Sequence, residues 1–392
     1  MRLGHRFRLF PSMPVPLVAE TLAELVRINS VNPAYGGPGE AGIAVWVRHF
    51  FESRGIEVSQ QAVWDNRPNI IARLPGRNAQ RRVILEAHLD TVSVAGMTID
   101  PFFPRVENGR LYGRGACDTK GGLAAMMHAV AGVHAAGIVP PCEVWMAAVV
   151  DEEFSFRGVT RLCDGLVAQA AIVAEPTNLR AVVASKGVLR WRVRVEGKAA
   201  HSGKPQLGIN AINHMARVIL AFEQDNGRLA SALHPMLGAA TCNVGVIRGG
   251  VQVNVVPDHC VIEIDRRLIP GESPSAVLAH YQGLLDALQR QHPSLCGVME
   301  PPMLVDEPLE TPVDSAVVQL ATTLLAERGL NSAPCGVPYG SDASKLSRQG
   351  VPSIVFGPGS IDDAHGAVEF VDLAEVEKAV DFYRDFILRF PS

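Results

Sequence analysis

Four strand-length apolar runs, residues 83–87 (VILEA), 142–150 (CEVWMAAVV), 170–174 (AAIVA) and 353–356 (SIVF), limit the folds open to this chain. A run without polar alternation has to be buried on both faces, as in the middle of a sheet covered by helices. Helical apolar spacing lies between and around the runs, at residues 16–29, 40–54, 123–137, 157–167, 314–329 and 372–390. Shorter strands are expected at 56–62 and 69–74. Strand and helix alternate, which predicts an α/β sandwich around a mixed, mostly parallel sheet. Functional groups in such sheets sit beyond the carboxyl ends of the strands.

The pattern changes near residue 185. Residues 187–197 (GVLRWRVRVEG) alternate apolar with charged, as a strand with one wet face does. A helix at 209–222, strands at 241–247 and 259–268, and a helix at 273–289 follow. This β-α-β-β-α order predicts a small α+β domain with an antiparallel, ferredoxin-like sheet. The expected organisation is 1–184 and 303–392 as one domain, with 185–302 inserted into it. A chain of 392 residues is too long for one ordinary core, which agrees. A net charge of −4 gives no reason to expect nucleic acid or acidic lipid as a partner. The seven cysteines are scattered without a CxxC, so reduced thiols in a cytoplasmic protein are expected. No apolar run approaches the roughly 18 residues of a membrane span. The start, MRLGHRFRLFPSM, is basic but lacks the apolar region of a signal peptide, and reads as a frayed arm or a misassigned start site rather than a short targeting segment.

Chemistry gathers where the runs end. His88 and Asp90 follow the first, Glu152 and Glu153 the second, and Glu175 the third. Asp118 lies in RLYGRGACDTKGG, a glycine-built turn before a helix, and His365 lies in DDAHGAVEF. Taken singly, Asp118 reads as a helix N-cap and the others as satisfied or surface groups. Together, two histidines and several carboxylates are the ligands a pair of divalent metals needs, with Asp118 shared between them. Neighbours on a strand point to opposite faces, so Glu152 and Glu153 can reach one site only where the strand breaks. FSFRG supplies that break.

The motifs HLDTV, GRGACDTKGG, DEE, AEPT, AHSG to NAI, NVVPD, DRRLIPGE, YGSDA, GPG and AHxxxE occur in this order over nearly the whole chain. In this the chain resembles the dinuclear-zinc amidohydrolases that include acetylornithine deacetylase, succinyl-diaminopimelate desuccinylase, aminoacylase and the glutamate carboxypeptidases. The resemblance implies that Asp118 bridges two metals, His88 and Glu175 completing one and Glu153 and His365 the other. Zinc is the metal expected, and cobalt or manganese also suit nitrogen and oxygen ligands. Asp90 would hold the His88 imidazole, and Glu152 would act as general base and then acid. A cis peptide is implied at Asp118–Thr119.

In the inserted domain, the family's dimerisation or lid domain, His201 would donate to the oxyanion in a partner subunit's site. Asn254 would bind the substrate carbonyl and Arg267 its α-carboxylate, with Arg266 able to exchange roles with Arg267. Gly340, Ser341 and Asp342, with Gly357 to Gly359, would form backbone walls; Ser341 stands where the family more often has threonine. The implied activity is hydrolysis of the amide bond of an N-acyl amino acid by a homodimer. Alternatives are a metallo-exopeptidase, a mononuclear enzyme, or a non-catalytic metal-binding protein. Cys117, His128 and His134 read as packing residues, and the RWRVRVE charges as a solvated face.

Overall fold

The computed structural model describes residues 17–391, so the basic start of the chain lies outside the described residues. Two units result. The first comprises the chain up to Val182, Thr311–Pro334 and the residues from Ser341 on; the second comprises Val183–Glu310 and Cys335–Gly340. The return to the first unit comes later than the 302/303 junction expected from sequence. The reason is a short strand, Leu304–Asp306, that pairs with Gly187–Glu196 inside the second unit.

In the first unit the strands are β1 (Glu57–Trp64), β2 (Arg67–Leu74), β3 (Asn78–His88), β4 (Cys142–Val149), β5 (Ala170–Val173) and β6 (Ser353–Val355). They lie in the order β1-β2-β4-β3-β5-β6. β3 runs parallel to β4 and β5, and β5 runs parallel to β6, while β2 is antiparallel to both β1 and β4. The sheet is thus parallel where the apolar runs lie and antiparallel at the hairpin edge. Leaving β3, the chain passes through the helix Gly121–Ala135 to β4 on one side, and then returns to β5 on the other. The strand order reverses at β3, which opens a crevice at the carboxyl ends of β4, β3 and β5.

The helix Gly121–Ala135 is buried almost all round and packs against Val18–Arg27 and Leu373–Arg389. Its first turn touches the sheet end: a Cβ on Gly122 would lie 2.7 Å from the Cβ of Ala174, so only glycine lets the helix start against the residue before Glu175. The helix expected at 157–167 is shorter, Arg157–Leu162, because Gly165 turns the chain with φ +68°. β3 also carries a surprise for a strand read as apolar, since Glu86 is fully buried within it.

The second unit is an antiparallel sheet in the order Thr241–Gly249, His259–Leu268, Gly187–Glu196, Cys296–Met299. Leu189, Trp191, Val193 and Val195 face a core shared with the helices Ala211–Ser231 and Pro274–Gln291. The alternate residues form the wet face, where Arg190 pairs with Asp265 at 2.7 Å and Arg192 with Glu263 at 3.1 Å. Arg190 and Arg192 of RWRVRVE are therefore matched across the sheet, and Arg194 pairs with Glu196 along its own strand. Among the described residues no helix is long and apolar enough to cross a membrane.

Leu85 sits fully buried in β3 between both neighbouring strands. Leu85→Ala is expected to lower unfolding stability by about 2–5 kcal/mol, read from a urea titration of the purified variant.

Candidate metal centre

The crevice gathers side chains from three strand ends and two loops of the first unit. His88 ends β3, Glu153 follows β4 and Glu175 follows β5. Asp118 lies on a kinked segment, Ala116–Lys120, whose helical path breaks at Asp118 (φ −118°, ψ 96°), and the Asp118–Thr119 peptide is cis. His365 comes from the loop before the last helix and has φ +56°. One oxygen of Asp118 lies 3.0 Å from His88 Nε2, and the other lies 3.1 Å from His365 Nε2. Glu175 lies 3.9 Å from the same His88 nitrogen, and Glu153 lies 3.2 Å from His365 Nε2. Two triads result, His88–Asp118–Glu175 and Asp118–Glu153–His365, each with its donor atoms within 4.8 Å of one another.

The supports are specific. Glu369, fully buried, accepts from the backbone N–H groups of Cys117 (3.0 Å) and Asp118 (3.1 Å) and pairs with Arg114. Asp118 is thereby held at the right depth without using its own carboxylate. His88 Nδ1 lies 3.0 Å from the backbone carbonyl of Asp90. A carbonyl can only accept, so Nδ1 carries the proton and Nε2 is the free donor atom.

Asp90 thus meets the imidazole through its carbonyl, while its carboxylate stands 3.7 Å from that ring nitrogen. The carboxylate accepts instead from the N–H groups of Glu152 and Glu153, each at 3.1 Å, and from Asn32 Nδ2 at 2.8 Å. Asp90 therefore positions the Glu152–Glu153 break. Asn32 reaches on to Asp151 (3.0 Å), which Arg67 also holds at 3.1 Å while pairing with the buried Glu40. Asn32, Glu40, Arg67 and Glu369 were not among the expected site residues, although Glu369 ends the AHxxxE motif.

Electrostatics fit a cation. Burial, and then the charge of Asp118, pushes Glu153 and Glu175 above the ordinary carboxylate range. Glu152 is raised well above it, by burial first and then by Asp342, Glu153 and Asp118, with His88 opposing. Burial works to lower His365, but its hydrogen bonds to Asp118 and Glu153 outweigh that and raise it to about 10. Behind this group lie two further buried acids. Burial and the charge of Asp342 push Glu86 well up, and burial brings Asp342 itself to about 7. So many acids in one dry crevice repel each other, and divalent cations relieve that repulsion.

The second unit carries the other expected residues. Gly203 N donates to His201 Nδ1 at 3.0 Å, which leaves Nε2 as the protonated, exposed nitrogen. Ser202 N donates to the Asn254 carbonyl at 3.0 Å, so these two loops are tied together. Arg266 is fully buried and bonded to Glu272 and to the Arg267 carbonyl, whereas Arg267 remains partly exposed beside Asp265 at 2.7 Å. Of the two arginines, Arg267 is the one able to meet a ligand. Gly340 belongs to this unit, where a Cβ would come within 2.0 Å of Asp306 Oδ2. Ser341 belongs to the first unit and is buried, its carbonyl accepting from Lys345 Nζ at 3.1 Å.

A family model, Peptidase family M20/M25/M40, matches residues 84–389. The chain belongs to this family. It is a metal-dependent amidohydrolase with a divalent-metal site. Its relatives include an acetylornithine deacetylase of Myxococcus xanthus, 31% identical over 379 residues, covering 92% of this chain and 94% of that protein. Among solved structures, the aminopeptidase PepT of Bacillus cereus superposes with a TM-score of 0.79 at 22% identity, covering 95% of this chain and 97% of that one. A dinuclear metal binding peptidase of Bacillus subtilis gives 0.73 at 16% identity, covering 95% and 96%.

Two outcomes follow. Asp90→Asn turns an amide N–H toward a backbone N–H and is expected to weaken metal binding about ten- to a hundredfold, measured by competition with a chelator. Because His365 is protonated up to about pH 10 in the metal-free chain, a metal must displace that proton. Metal affinity is therefore expected to rise with pH from 6 to 8, and calorimetry in buffers of different ionisation enthalpy should register proton release.

Proposed function

We propose that this protein hydrolyses the amide bond of an N-acyl amino acid with two divalent metals, most simply zinc. Asp118 would bridge them, His88 and Glu175 would complete one site, and Glu153 and His365 the other. The observation that carries the reading is the pair of Asp118 oxygens facing two different histidines at 3.0 and 3.1 Å, which is what a bridging carboxylate requires. The metals would polarise the scissile carbonyl and lower the pKa of the attacking water.

This chain's residues supply the rest. Glu152 is not in either triad, and its backbone is fixed by Asp90, so its carboxylate is held beside the ligands without being one. Its raised proton affinity suits a group that takes a proton from water and later returns it to the departing amine. His201, with Nε2–H outward, would stabilise the oxyanion, Asn254 would meet the substrate carbonyl, and Arg267 would take the α-carboxylate.

A homodimer through the second unit fits its open sheet edge. Thr241–Gly249 is an edge strand paired with His259–Leu268 alone among the described strands. The seven free cysteines suit a reducing compartment such as the cytoplasm.

Mass-spectrometric turnover of N-acyl amino acids and dipeptides tests the reaction. Hydrolysis should vanish on chelation and return with zinc, and the products name the bond cleaved. Glu152→Gln is expected to lower kcat by about a hundredfold or more with metal content unchanged; full turnover by that variant would end the general-base assignment. Light scattering should give a two-chain mass.

A further inference from the structure

We propose that an aromatic rim on the first unit, Tyr35 with Phe154, selects substrates that carry a flat or branched apolar group. The inference rests on the hydrolase reading above and names its substrate class.

Phe154 directly follows the ligand Glu153, and it is 56% exposed. Its loop is closely bonded. Ser155 N and Phe156 N both donate to the Asp151 carbonyl, at 3.2 and 2.7 Å. Asp151 and Phe156 take left-handed conformations (φ +69° and +59°), rare for residues with side chains. The Asp151 side chain is clamped by Asn32 and Arg67, and the Phe156 ring lies under Lys345 Nζ, 3.2 Å from the ring centre. A strained, well-bonded loop that holds an aromatic ring out in water next to a ligand points to a use for that ring.

Tyr35 provides the second wall. Its hydroxyl donates to the Glu153 carbonyl at 2.7 Å, and its ring meets Phe154 edge to face, with centroids 6.4 Å apart. It ends the short turn Pro33–Tyr35, which Asn32 caps by accepting from Ala34 N at 3.0 Å. The same Asn32 side chain bonds Asp90 and Asp151, so both rings are built on the network that positions the ligands. Tyr35 remains 42% exposed, and Val368, three residues beyond His365, is 41% exposed.

Three loops of the centre thus present apolar side chains to solvent. The exposed ring surface of Phe154 favours another apolar group. A cationic substrate would instead seek Asp362 and Asp363 on the turn before His365.

The test is kcat/KM of zinc-loaded protein over two series. One varies the acyl group (acetyl, isovaleryl, phenylacetyl) on alanine, and the other varies the amino acid (alanine, leucine, phenylalanine, ornithine) under acetyl. Wild type should favour the apolar members of at least one series, and that series tells acyl group from side chain. In Phe154→Ala the ratio of apolar to alanine or acetyl substrate should fall about tenfold or more, and Phe154→Leu should keep most of it.

An unchanged ratio in Phe154→Ala overturns the proposal, as does a wild-type preference for ornithine over leucine and phenylalanine. So does loss of bound zinc in Phe154→Ala, which would make the ring a support for Glu153. Failure of every substrate in protein that holds its metals would reject the hydrolase reading itself, and the rim with it.

Discussion

Asp118 has to present one oxygen to each of two histidines that approach from different parts of the chain, and much of the first unit's polar interior is arranged around that demand. Its carboxylate is occupied on both sides, so its position is fixed through its backbone, whose N–H is taken by Glu369. Glu369 is in turn neutralised by Arg114. The glycine at 122 allows the next helix to begin against the end of β5, which brings Glu175 and Asp118 within reach of the same histidine. A larger residue there would push the helix, and the turn with it, off the sheet.

A second network does the same for the acids after β4. Asp90, Asn32, Asp151, Arg67 and Glu40 form a connected set of hydrogen bonds beneath the Glu152–Glu153 break. Both glutamates receive their geometry from main-chain contacts, leaving their carboxylates for chemistry. Burial makes these acids poor ions by themselves. The chain has assembled a pocket of unfavourable negative charge that bound cations stabilise, so metal affinity and local folding are coupled.

Much of this was legible in the sequence because parallel sheets place function at strand ends, and His88, Glu153 and Glu175 each come within four residues of one. His365 and Asp118 were legible by motif. Asp90 was legible as the partner of the His88 ring, but that it acts through its backbone carbonyl was not, since a main-chain contact leaves no mark in a sequence. Glu86 was hidden by its apolar neighbours, although period-two alternation places it on the same face as His88. The choice between Arg266 and Arg267 turned on strand alternation and on Glu272, which holds the buried one. The return to the first unit was misplaced because Leu304–Asp306 is too short and too mixed to announce a strand.

The two triads draw on the chain unevenly. His88, Asp118 and Glu175 all precede Val183, where the second unit begins, while His365 follows the whole of that unit. During synthesis, three ligands of one triad emerge early, and the other triad waits for the last stretch of polypeptide. Until the carboxyl-terminal segment arrives, Asp118 has neither its second histidine nor the Glu369 that holds its backbone. A chain truncated before residue 365 would retain one complete triad and two of the three members of the other.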